Sequence, residues 1–283
     1  MMEALRDCMN MHVITERYRV IIRELEMKNK INVVDLAIKL NVTPETIRKD
    51  LSVLEEKKKL RRIHGGAIQY FGLMKEPHFN IKIGIAHNEK KLIGEAAATF
   101  IMDGETVALD VGSTTLHIAM SIKNVKNITI VTNSLAAAEI LNNRLENQQF
   151  DGNVIVIGGT SNPLQRSISG PLTNQLLEHF YFDKAFISCG GISKDGICDF
   201  NIDKATASTI MMKRSSSVYV VTDSSKMNQK ALFHIGSFSS IDRVITDQEM
   251  PADWSKDAML RNVNWINAGA MNPQTSSRGG TSK

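Results

Sequence analysis

The sequence predicts an α/β chain of two domains: a small N-terminal domain with the pattern of a winged helix-turn-helix, and a larger C-terminal domain built on a mainly parallel sheet. Three observations predict this organisation. Apolar residues recur at helical spacing near the N-terminus, and further along the chain short apolar runs alternate with helical patterns. Positive charge is also concentrated at one end, because residues 12–70 contain 13 Lys and Arg against 8 Asp and Glu, although the whole chain of 283 residues has a net charge of only +4.

Composition excludes several classes of protein. With 42% hydrophobic and 23% charged residues, the chain can bury a globular core. Its three cysteines, Cys8, Cys189 and Cys198, are an odd number without metal-ligand spacing, which argues against a disulfide framework and against a zinc site. No apolar stretch approaches the roughly 20 residues of a membrane span. We therefore expect a cytoplasmic protein with no bound metal and no membrane partner.

Three amphipathic helices are predicted at the N-terminal end. Apolar residues recur three and four positions apart, so that one face of each helix packs inward. The third helix begins at Thr43 and Pro44, an N-cap followed by proline at the first helical position, where the missing N–H costs nothing. The inward positions are Tyr18, Ile21, Ile22 and Leu25 in the first helix, Val33, Leu36, Ala37 and Leu40 in the second, and Ile47, Leu51 and Leu54 in the third.

The opposite face of the third helix is polar and cationic. A short helix pair whose second member is cationic is the arrangement that lays a recognition helix in the major groove of DNA. A basic strand at residues 57–63 follows and ends at Gly65 and Gly66, which is typical of a wing that tracks the DNA backbone. The residues predicted to contact double-stranded DNA are Thr43, Glu45, Thr46, Arg48, Lys49, Ser52, Arg61, Arg62 and His64. The alternative is that these charges are only the solvated face of a three-helix core.

The domain boundaries are predicted from where the periodicity is lost. Residues 12–70 form the DNA-binding domain, and residues 71–88, which contain Gly72, Pro77 and Gly84, form a linker. The larger domain spans residues 89–269. Residues 270–283 are rich in Ser, Thr, Gly and Asn, and we expect a disordered tail there.

Short β-rich runs alternate with helical patterns throughout the larger domain. Such alternation predicts a mainly parallel sheet with helices on both faces. In sheets of this kind, ligands bind beyond the carboxyl ends of the strands. The predicted runs are 106–110, 128–131, 154–157, 185–188, 218–221 and 243–245.

Glycine and hydroxyl residues follow these runs directly, so we expect them to meet at one edge of the sheet. After the first run, Gly112 allows a close backbone approach, and the start of the next helix presents unpaired N–H groups to an anion such as phosphate. Lys226 is expected to neutralise that anion. The predicted effector-binding residues are Asp110, Gly112, Ser113, Thr114, Thr115, Asn133, Ser134, Gly158, Gly159, Gly190, Gly191 and Lys226. The sequence contains no Walker A lysine motif and no G-x-G-x-x-G run, so no nucleotide cofactor is expected.

Several short segments resemble, in collinear order, the DeoR family of bacterial regulators of sugar metabolism. The segment TIRKDL at 46–51 resembles the family's recognition-helix signature, HGGA at 64–67 its wing ending, and LDVGSTT at 109–115 its effector loop. Segments similar to the later sensor-domain motifs are TNS at 132–134, GG at 158–159, DKAF at 183–186, GGI at 190–192, DSSK at 223–226 and ITD at 245–247.

The resemblance implies that the N-terminal domain binds operator DNA, usually as a repressor, and that the larger domain shares the fold of ribose-phosphate isomerases and CoA-transferases. It also implies a phosphorylated sugar as effector and a homo-oligomer, a dimer or a tetramer, so that residues 89–269 serve effector sensing and oligomerisation. The sequence departs from the family pattern at Pro44, Lys49, Lys58 and Lys82. These departures concern the operator sequence and the geometry of the wing.

Two other functions stay open from the residues alone. One is a sugar-phosphate isomerase-like enzyme that carries a DNA-binding module, with Asp183, Asp195, Asp199, Asp203 and Lys204 as acid–base groups. However, aspartates in loops and at helix starts are usually caps or solvated charges, so we predict a regulator rather than an enzyme. The other makes the larger domain a pure oligomerisation scaffold, in which the glycine clusters serve only as tight turns.

Overall fold

The structure is a computed structural model that describes residues 16–25, 27–28, 30–57, 59–63, 65–69, 76–257, 260 and 263–271. The chain divides into two compact units with the boundary between Gly72 and Leu73. We call them the N-terminal unit and the C-terminal unit. A search of the described residues finds no helix that is both long enough and apolar enough to span a membrane.

The N-terminal unit combines helices with a small antiparallel sheet, so the predicted winged helix-turn-helix is confirmed. Its strands lie in the order β1-β3-β2. The sequence does not predict β1, because three residues are too few for a period-two pattern to be recognised. The elements are α1 (residues 16–25), β1 (Lys30–Asn32), α2 (Val33–Leu40), α3 (Pro44–Glu56), β2 (Leu60–Ile63) and β3 (Gly66–Gln69).

Most of the predicted inward positions are buried in the core of this unit, and Tyr18, Ile22 and Leu40 pack against it half-buried. Ile21, Leu25, Ile47 and Leu51 are each at most 1% exposed. The turn between α2 and α3 follows from local sequence. Asn41 ends α2 with φ at 50°, in the left-handed region, and the Thr43 side chain accepts a hydrogen bond from the Thr46 amide at 3.2 Å to cap α3.

An ion pair that the sequence does not predict joins α1 to α3. Asp50 lies on α3 beside the apolar stripe and is only 4% exposed. Arg17 of α1 donates to both carboxylate oxygens of Asp50, and its Nη2 lies 2.9 Å from Oδ1. Because the contact is bidentate and mostly shielded from water, it fixes α1 against the helix that carries Arg48 and Lys49.

The C-terminal unit contains a seven-stranded sheet and two smaller sheets, with helices between the strands. Its helices are α4 (Phe79–Ile83), α5 (His87–Ala98), α6 (Ser113–Ser121), α7 (Leu135–Glu146), α8 (Pro171–Leu177), α9 (Ile202–Lys213) and α10 (Ala268–Met271), with short 3-10 helices at Ser224–Lys226 and Phe238–Ser240. Its strands are β4 (Thr106–Leu109), β5 (Ile128–Thr132), β6 (Gly152–Val156), β7 (Thr160–Asn162), β8 (Ser167–Ser169), β9 (Phe182–Ser188), β10 (Gly191–Ser193), β11 (Gly196–Asp199), β12 (Ser215–Val221), β13 (Phe233–Gly236), β14 (Arg243–Thr246) and β15 (Asn264–Asn267).

All strand pairs of the large sheet are parallel, in the order β15-β14-β12-β9-β4-β5-β6. The prediction of a mainly parallel sheet is therefore confirmed. Strand β4 lies between β5 and β9, and Leu109 at its end is in register with Thr132 on one side and Phe186 on the other. The chain runs outward in both directions from β4, which makes the carboxyl ends of β4 and β9 the switch point where sheets of this type bind ligands.

Two hydrophobic cores cover the two faces of this sheet. Side chains of alternate residues on a strand point to opposite faces, so Val107 and Leu109 pack with helices α5, α6 and α7, whereas Ala108 packs with α8 and α9. The predicted helices on both faces are confirmed. The hairpin β7–β8 and the small sheet β10-β11-β13 are additions that the sequence does not predict.

The structure has helices in some residues that the sequence predicts as linker or tail. Residues 79–88, predicted as linker, contain α4 and the start of α5, and Phe79 is buried in the core of the C-terminal unit. Residues 12–15 and 70–75 lie outside the described residues, as does most of the predicted tail. Ala270 and Met271, the first two residues of that tail, belong to α10.

We expect Asp50→Ala to destabilise the N-terminal unit by about 3 kcal/mol, because the mostly buried Arg17 guanidinium loses its partner. Glu45→Ala is the control, since the exposed pair of Glu45 and Arg48 is worth at most about 1 kcal/mol. Differential scanning calorimetry of the full chain measures both changes. Equal and small effects would contradict the role assigned to the Arg17–Asp50 pair.

Candidate functional site

The polar face of α3 is exposed, as its sequence predicts. Lys49 and Glu45 are exposed, and the side chain of Arg48 keeps 54% of its surface in water. Arg48 Nη1 lies 3.1 Å from Glu45 Oε2, an exposed pair one turn apart. Such a pair is weak, so the guanidinium is free to exchange the carboxylate for a base edge or a phosphate.

Strand β2 is tied to α3 through the side chain of Arg62. Its Nη1 donates to Ser52 Oγ at 2.7 Å, its amide donates to Glu55 Oε1 at 2.7 Å, and Ser52 Oγ donates to the Arg48 carbonyl at 3.0 Å. These hydrogen bonds hold β2 against α3, so the two elements present one surface.

Some of the other predicted DNA contacts on this surface are already used or partly buried within the protein. The Thr43 hydroxyl serves as the helix cap and lies 2.9 Å from the Thr46 hydroxyl, and Arg61 is half-buried. His64 lies outside the described residues. Arg48 and Lys49 are thus the predicted cations on α3 that face water.

The predicted effector residues all follow strands of the parallel sheet, so the fold brings them to its carboxyl edge. They follow β4, β5, β6, β9 and β12, which are neighbours in the order β12-β9-β4-β5-β6. Their ligand role stays a prediction, but their convergence is a property of the fold.

Asp110 is a completely buried carboxylate at the end of β4. Its Oδ2 accepts hydrogen bonds from the Ser188 amide at 3.2 Å and from Ser208 Oγ at 3.1 Å. Burial raises the pKa of Asp110 to about 6, while the nearby Lys204 acts in the opposite direction. The carboxylate joins β4, β9 and α9 at the switch point, at a cost in desolvation.

Helix α6 begins next to Asp110 without a side-chain cap. Gly112 occupies the N-cap position and no described side chain bonds to the first turn, so the amides of Ser113 to Thr115 are available to an anion. Gly112 is required by packing, since a Cβ there would lie 2.2 Å from Ser188 Oγ. The Thr115 hydroxyl, by contrast, is used internally, because it donates to the Asp110 carbonyl at 2.7 Å.

Asn133 and Ser134 follow β5 and have different roles. Asn133 Nδ2 donates to the Ile168 carbonyl at 2.8 Å, which attaches β8 to this edge. The Ser134 side chain caps α7 by accepting from the Ala137 amide at 3.1 Å. Ser134 therefore has a sufficient structural role, whereas Asn133 keeps a buried oxygen that accepts no hydrogen bond from the described residues.

The later glycines are explained by close contacts within the protein rather than by room for a ligand. A Cβ on Gly190 would lie 2.7 Å from the Phe200 ring, and one on Gly191 would lie 2.3 Å from the Gln229 carbonyl oxygen. A Cβ on Gly159 would lie 2.1 Å from Thr173 Oγ1. Close packing therefore accounts for these three glycines, whereas a Cβ on Gly158 would meet open space.

Lys226 lies in the 3-10 helix after β12 and is partly exposed at the same edge. Asp223 caps this turn by accepting from the Ser225 amide at 3.1 Å.

Sequence reasoning missed Lys90 of α5, a buried lysine whose Nζ lies 3.8 Å from Asp223 Oδ2. A lysine inside an amphipathic helix gives no signal of this contact, which depends on how α5 packs against the end of β12.

The candidate acid–base residues do not assemble into one catalytic site. Asp183 accepts from the Thr106 amide at the opposite edge of the sheet, Asp195 pairs with Lys230 on the surface, and Asp203 is exposed. Asp199 and Lys204 do form a buried ion pair. Burial opposes the charge on Lys204, but the carboxylates of Asp199 and Asp110 raise its pKa, so this amine is held protonated rather than poised as a base.

Several buried oxygen atoms accept no hydrogen bond from the described residues. They are Asp110 Oδ1, Asn133 Oδ1, Gln165 Oε1, Asn174 Oδ1 and Asp223 Oδ2, and those of Asp110, Asn133 and Asp223 follow strands at the carboxyl edge of the sheet. Gln165 lies in the β7–β8 hairpin, which contacts Asn133 through Ile168. Buried polar atoms normally have partners, so these acceptors point to a ligand or water that donates hydrogen bonds. Within the same described residues, no cluster of three or more His, Cys, Asp and Glu side chains fits a metal ion.

We expect Asp110→Asn to stabilise the protein at pH 8 by up to about 3 kcal/mol, the equivalent of the upward pKa shift of Asp110 to about 6. An acid whose pKa is raised on folding holds a proton that the unfolded chain releases, so its stability contribution falls as the pH rises from about 4 to about 6. The gain should therefore vanish near pH 4. Thermal unfolding at several pH values measures it, with the exposed Asp203→Asn as control; a gain independent of pH would contradict the charge assigned to Asp110.

Two family models match the chain in order. The DeoR-like helix-turn-helix domain matches residues 17–70, and the DeoR C-terminal sensor domain matches residues 85–248. Together they cover both units.

Curated relatives carry consistent names. An HTH-type transcriptional regulator of Staphylococcus epidermidis is 42% identical over 211 residues, which cover 75% of this chain and 83% of that protein. The HTH-type transcriptional regulator GolR of Listeria innocua is 32% identical over 83% of this chain and 91% of its own. The glycerol-3-phosphate regulon repressor of Escherichia coli is 29% identical over 84% and 92%. Because such relatives are named as regulators or repressors, the prediction of a regulator rather than an enzyme is confirmed.

Similarity to solved structures is lower. Ribose 5-phosphate isomerase A from Methanocaldococcus jannaschii matches 50% of this chain and 55% of its own, with 14% identity and a TM-score of 0.35. The eIF2B delta structure from Chaetomium thermophilum matches 61% and 59%, with 16% identity and a TM-score of 0.40. Similarity at this level assigns no function.

The assignment therefore rests on the two domain models in sequence and on relatives that match over most of their length. Both agree with the exposed cationic helix of one unit and the parallel sheet of the other. This chain belongs to the DeoR family of helix-turn-helix transcriptional regulators.

Proposed function

We propose that this protein is a homo-oligomeric repressor of an operon for the use of a sugar or sugar phosphate, and that a phosphorylated sugar bound in the C-terminal unit modulates its affinity for operator DNA. The observation that carries the effector part is the carboxyl edge of the parallel sheet. There, the uncapped N-terminus of α6 and Lys226 both follow strands of this edge, and the buried Asp110 Oδ1 and Asn133 Oδ1 accept no hydrogen bond from the described residues.

Operator recognition is assigned to α3 and to the strand that follows it. Arg48 and Lys49 face water on α3, and Arg62 joins that helix to β2. A recognition helix in the major groove reads base edges with such side chains, while the wing contacts phosphates. The net positive charge of residues 12–70 supplies the electrostatic attraction to the duplex.

The phosphate of the effector is assigned to the first turn of α6 and to Lys226. Helix N-termini bind anions through unpaired amides and the helix dipole. The amides of Ser113 to Thr115 are free of a side-chain cap. Lys226, which follows β12 at the same edge, supplies the opposite charge.

The sugar part of the effector is assigned to the unsatisfied acceptors. Asp110 Oδ1 and Asn133 Oδ1 need hydrogen-bond donors, and a phosphate dianion offers none, whereas sugar hydroxyls donate. A phosphorylated polyhydroxy compound therefore fits both kinds of group at this edge. The name of one relative, the glycerol-3-phosphate regulon repressor, is consistent with this chemical class.

Regulation requires that the effector bind two arrangements of the oligomer with unequal affinity, since a ligand that binds both equally shifts nothing. We assign the two arrangements to different spacings of the paired recognition helices. The pure scaffold alternative differs in one respect: it predicts no effector binding at all.

We expect Arg48→Ala to weaken binding to specific DNA by roughly 1–3 kcal/mol, the value for a bidentate contact to a base edge. The measurement is fluorescence anisotropy at fixed salt, on a duplex that the wild-type chain selects from random sequences and on a scrambled duplex of the same composition. An equal loss on both duplexes would make Arg48 a phosphate contact. Glu56→Ala, an exposed change at the far end of α3, is the control.

We expect one or more sugar phosphates to raise the unfolding temperature of the full chain, because a ligand that prefers the native state stabilises it by about 2.7 kcal/mol at a hundred times its Kd. Ribose 5-phosphate, fructose 6-phosphate, glucose 6-phosphate and glycerol 3-phosphate should be compared with the unphosphorylated compounds and with inorganic phosphate. Lys226→Met should reduce the shift, while Lys123→Met, an exposed lysine at the opposite edge of the sheet, should not. No shift from any of them at millimolar concentration would favour the scaffold.

A further inference from the structure

Lys90 is a buried lysine that joins two segments of the C-terminal unit. It lies on α5, is 2% exposed, and its Nζ donates to the carbonyl oxygens of Lys82 and Ile85, each at 2.7 Å. The same Nζ lies 3.8 Å from Asp223 Oδ2. One ammonium group therefore contacts the last turn of α4, the residues just after it, and the turn after β12.

The Asp223 end of this contact belongs to the turn that carries Lys226. Asp223 Oδ1 accepts from the amide and the hydroxyl of Ser225, and the Lys226 amide donates to the Asp223 carbonyl at 3.0 Å. Asp223 Oδ2 accepts no hydrogen bond from the described residues and pairs with Lys90. The Asp223 carboxylate therefore connects this turn to Lys90.

On its other side, Lys90 contacts residues 76–86, which we call the strap. It is the first described segment after the boundary between the two units. Its N-terminal part is held by Phe79, which is buried and whose amide donates to the Leu164 carbonyl at 2.9 Å, and by Gln165, which donates to the Pro77 carbonyl at 3.1 Å. Its C-terminal part receives the two hydrogen bonds from Lys90.

Packing alone does not explain a lysine at this position. A buried charge costs free energy unless it is well paired, and the nearest carboxylate oxygen is 3.8 Å away. Burial lowers the pKa of Lys90 to about 8, with Asp223 acting in the opposite direction and Lys226 and Lys82 in the same direction as burial. Perturbed buried groups of this kind are concentrated at functional sites.

We propose that Lys90 is a positioning residue of the effector site: through Asp223 it transmits a rearrangement of the Asp223–Lys226 turn to the strap, and so to the chain that leads to the N-terminal unit. The part played by a bound anion rests on the proposed function. The connection between the turn and the strap does not. An anion held by Lys226 reorders the turn, which alters how firmly Asp223 holds the Lys90 ammonium against the strap carbonyls.

Hydrogen exchange of the full chain without any ligand tests the connection. Lys90→Met and Asp223→Asn should each speed exchange of the Gly84 and Ile85 amides about tenfold, because hydrogen bonds from a charged donor are lost or weakened. The double variant should exceed Lys90→Met alone by no more than about twofold, since both changes act on one contact. If Lys90 only filled space and capped α4, Asp223→Asn would leave the strap unchanged, and that result overturns the proposal. Lys230→Met and Asp195→Asn, which break an exposed ion pair, are the matched controls.

Inorganic phosphate at millimolar concentration, and any sugar phosphate that stabilises the chain, test the part played by the anion. In the wild type the anion should change exchange both at the Lys226 and Met227 amides and at the strap. In Lys90→Met it should change exchange at the turn only. A strap response that persists in Lys90→Met, or loss of the turn response in that variant, overturns the positioning role. No response at either place in the wild type would instead count against the phosphate site of the proposed function, and the ligand-free comparison still decides the role of Lys90.

Discussion

The Asp110 carboxylate accepts hydrogen bonds from the Ser188 amide at the end of β9 and from the Ser208 hydroxyl on α9, and so joins both elements to the end of β4. The first turn of α6 and the close approach at Gly112 lie directly beside this contact. Ser188 also requires glycine at position 112, because its side chain fills the space that a Cβ there would take. The same burial raises the pKa of Asp110, so the fold keeps a carboxylate where a neutral group would be more stable.

The N-terminal unit is held together by different interactions. Its core is apolar and local, and the Arg17–Asp50 pair orients the helices so that one face of α3 is left to water. Arg62 and Ser52 then add β2 to the same surface. A surface whose backbone elements are already held together loses less conformational entropy on binding.

Structural features that depend on neighbouring residues were predictable from the sequence. The stripe of α3, its Thr43 cap and the strands of the parallel sheet follow from periodicity and turn chemistry. Interactions between distant parts of the chain were not predictable. Arg17 and Asp50 meet only because α1 crosses α3, and Lys90 meets Asp223 only because α5 packs against the end of β12. Gly190 and Gly191 looked like ligand-binding glycines because the sequence does not reveal that Phe200 and Gln229 occupy the space beside them.

The most direct measurement of the link between the two units is the affinity of the full chain for its selected duplex, taken by titration with and without a stabilising sugar phosphate at constant ionic strength. We expect the ligand to change the Kd at least about fivefold, the lower range of allosteric coupling energies. We also expect the unphosphorylated sugar to leave it unchanged. A ligand that binds the C-terminal unit tightly, yet leaves the affinity for DNA the same, would contradict the central claim that this sheet edge regulates DNA binding.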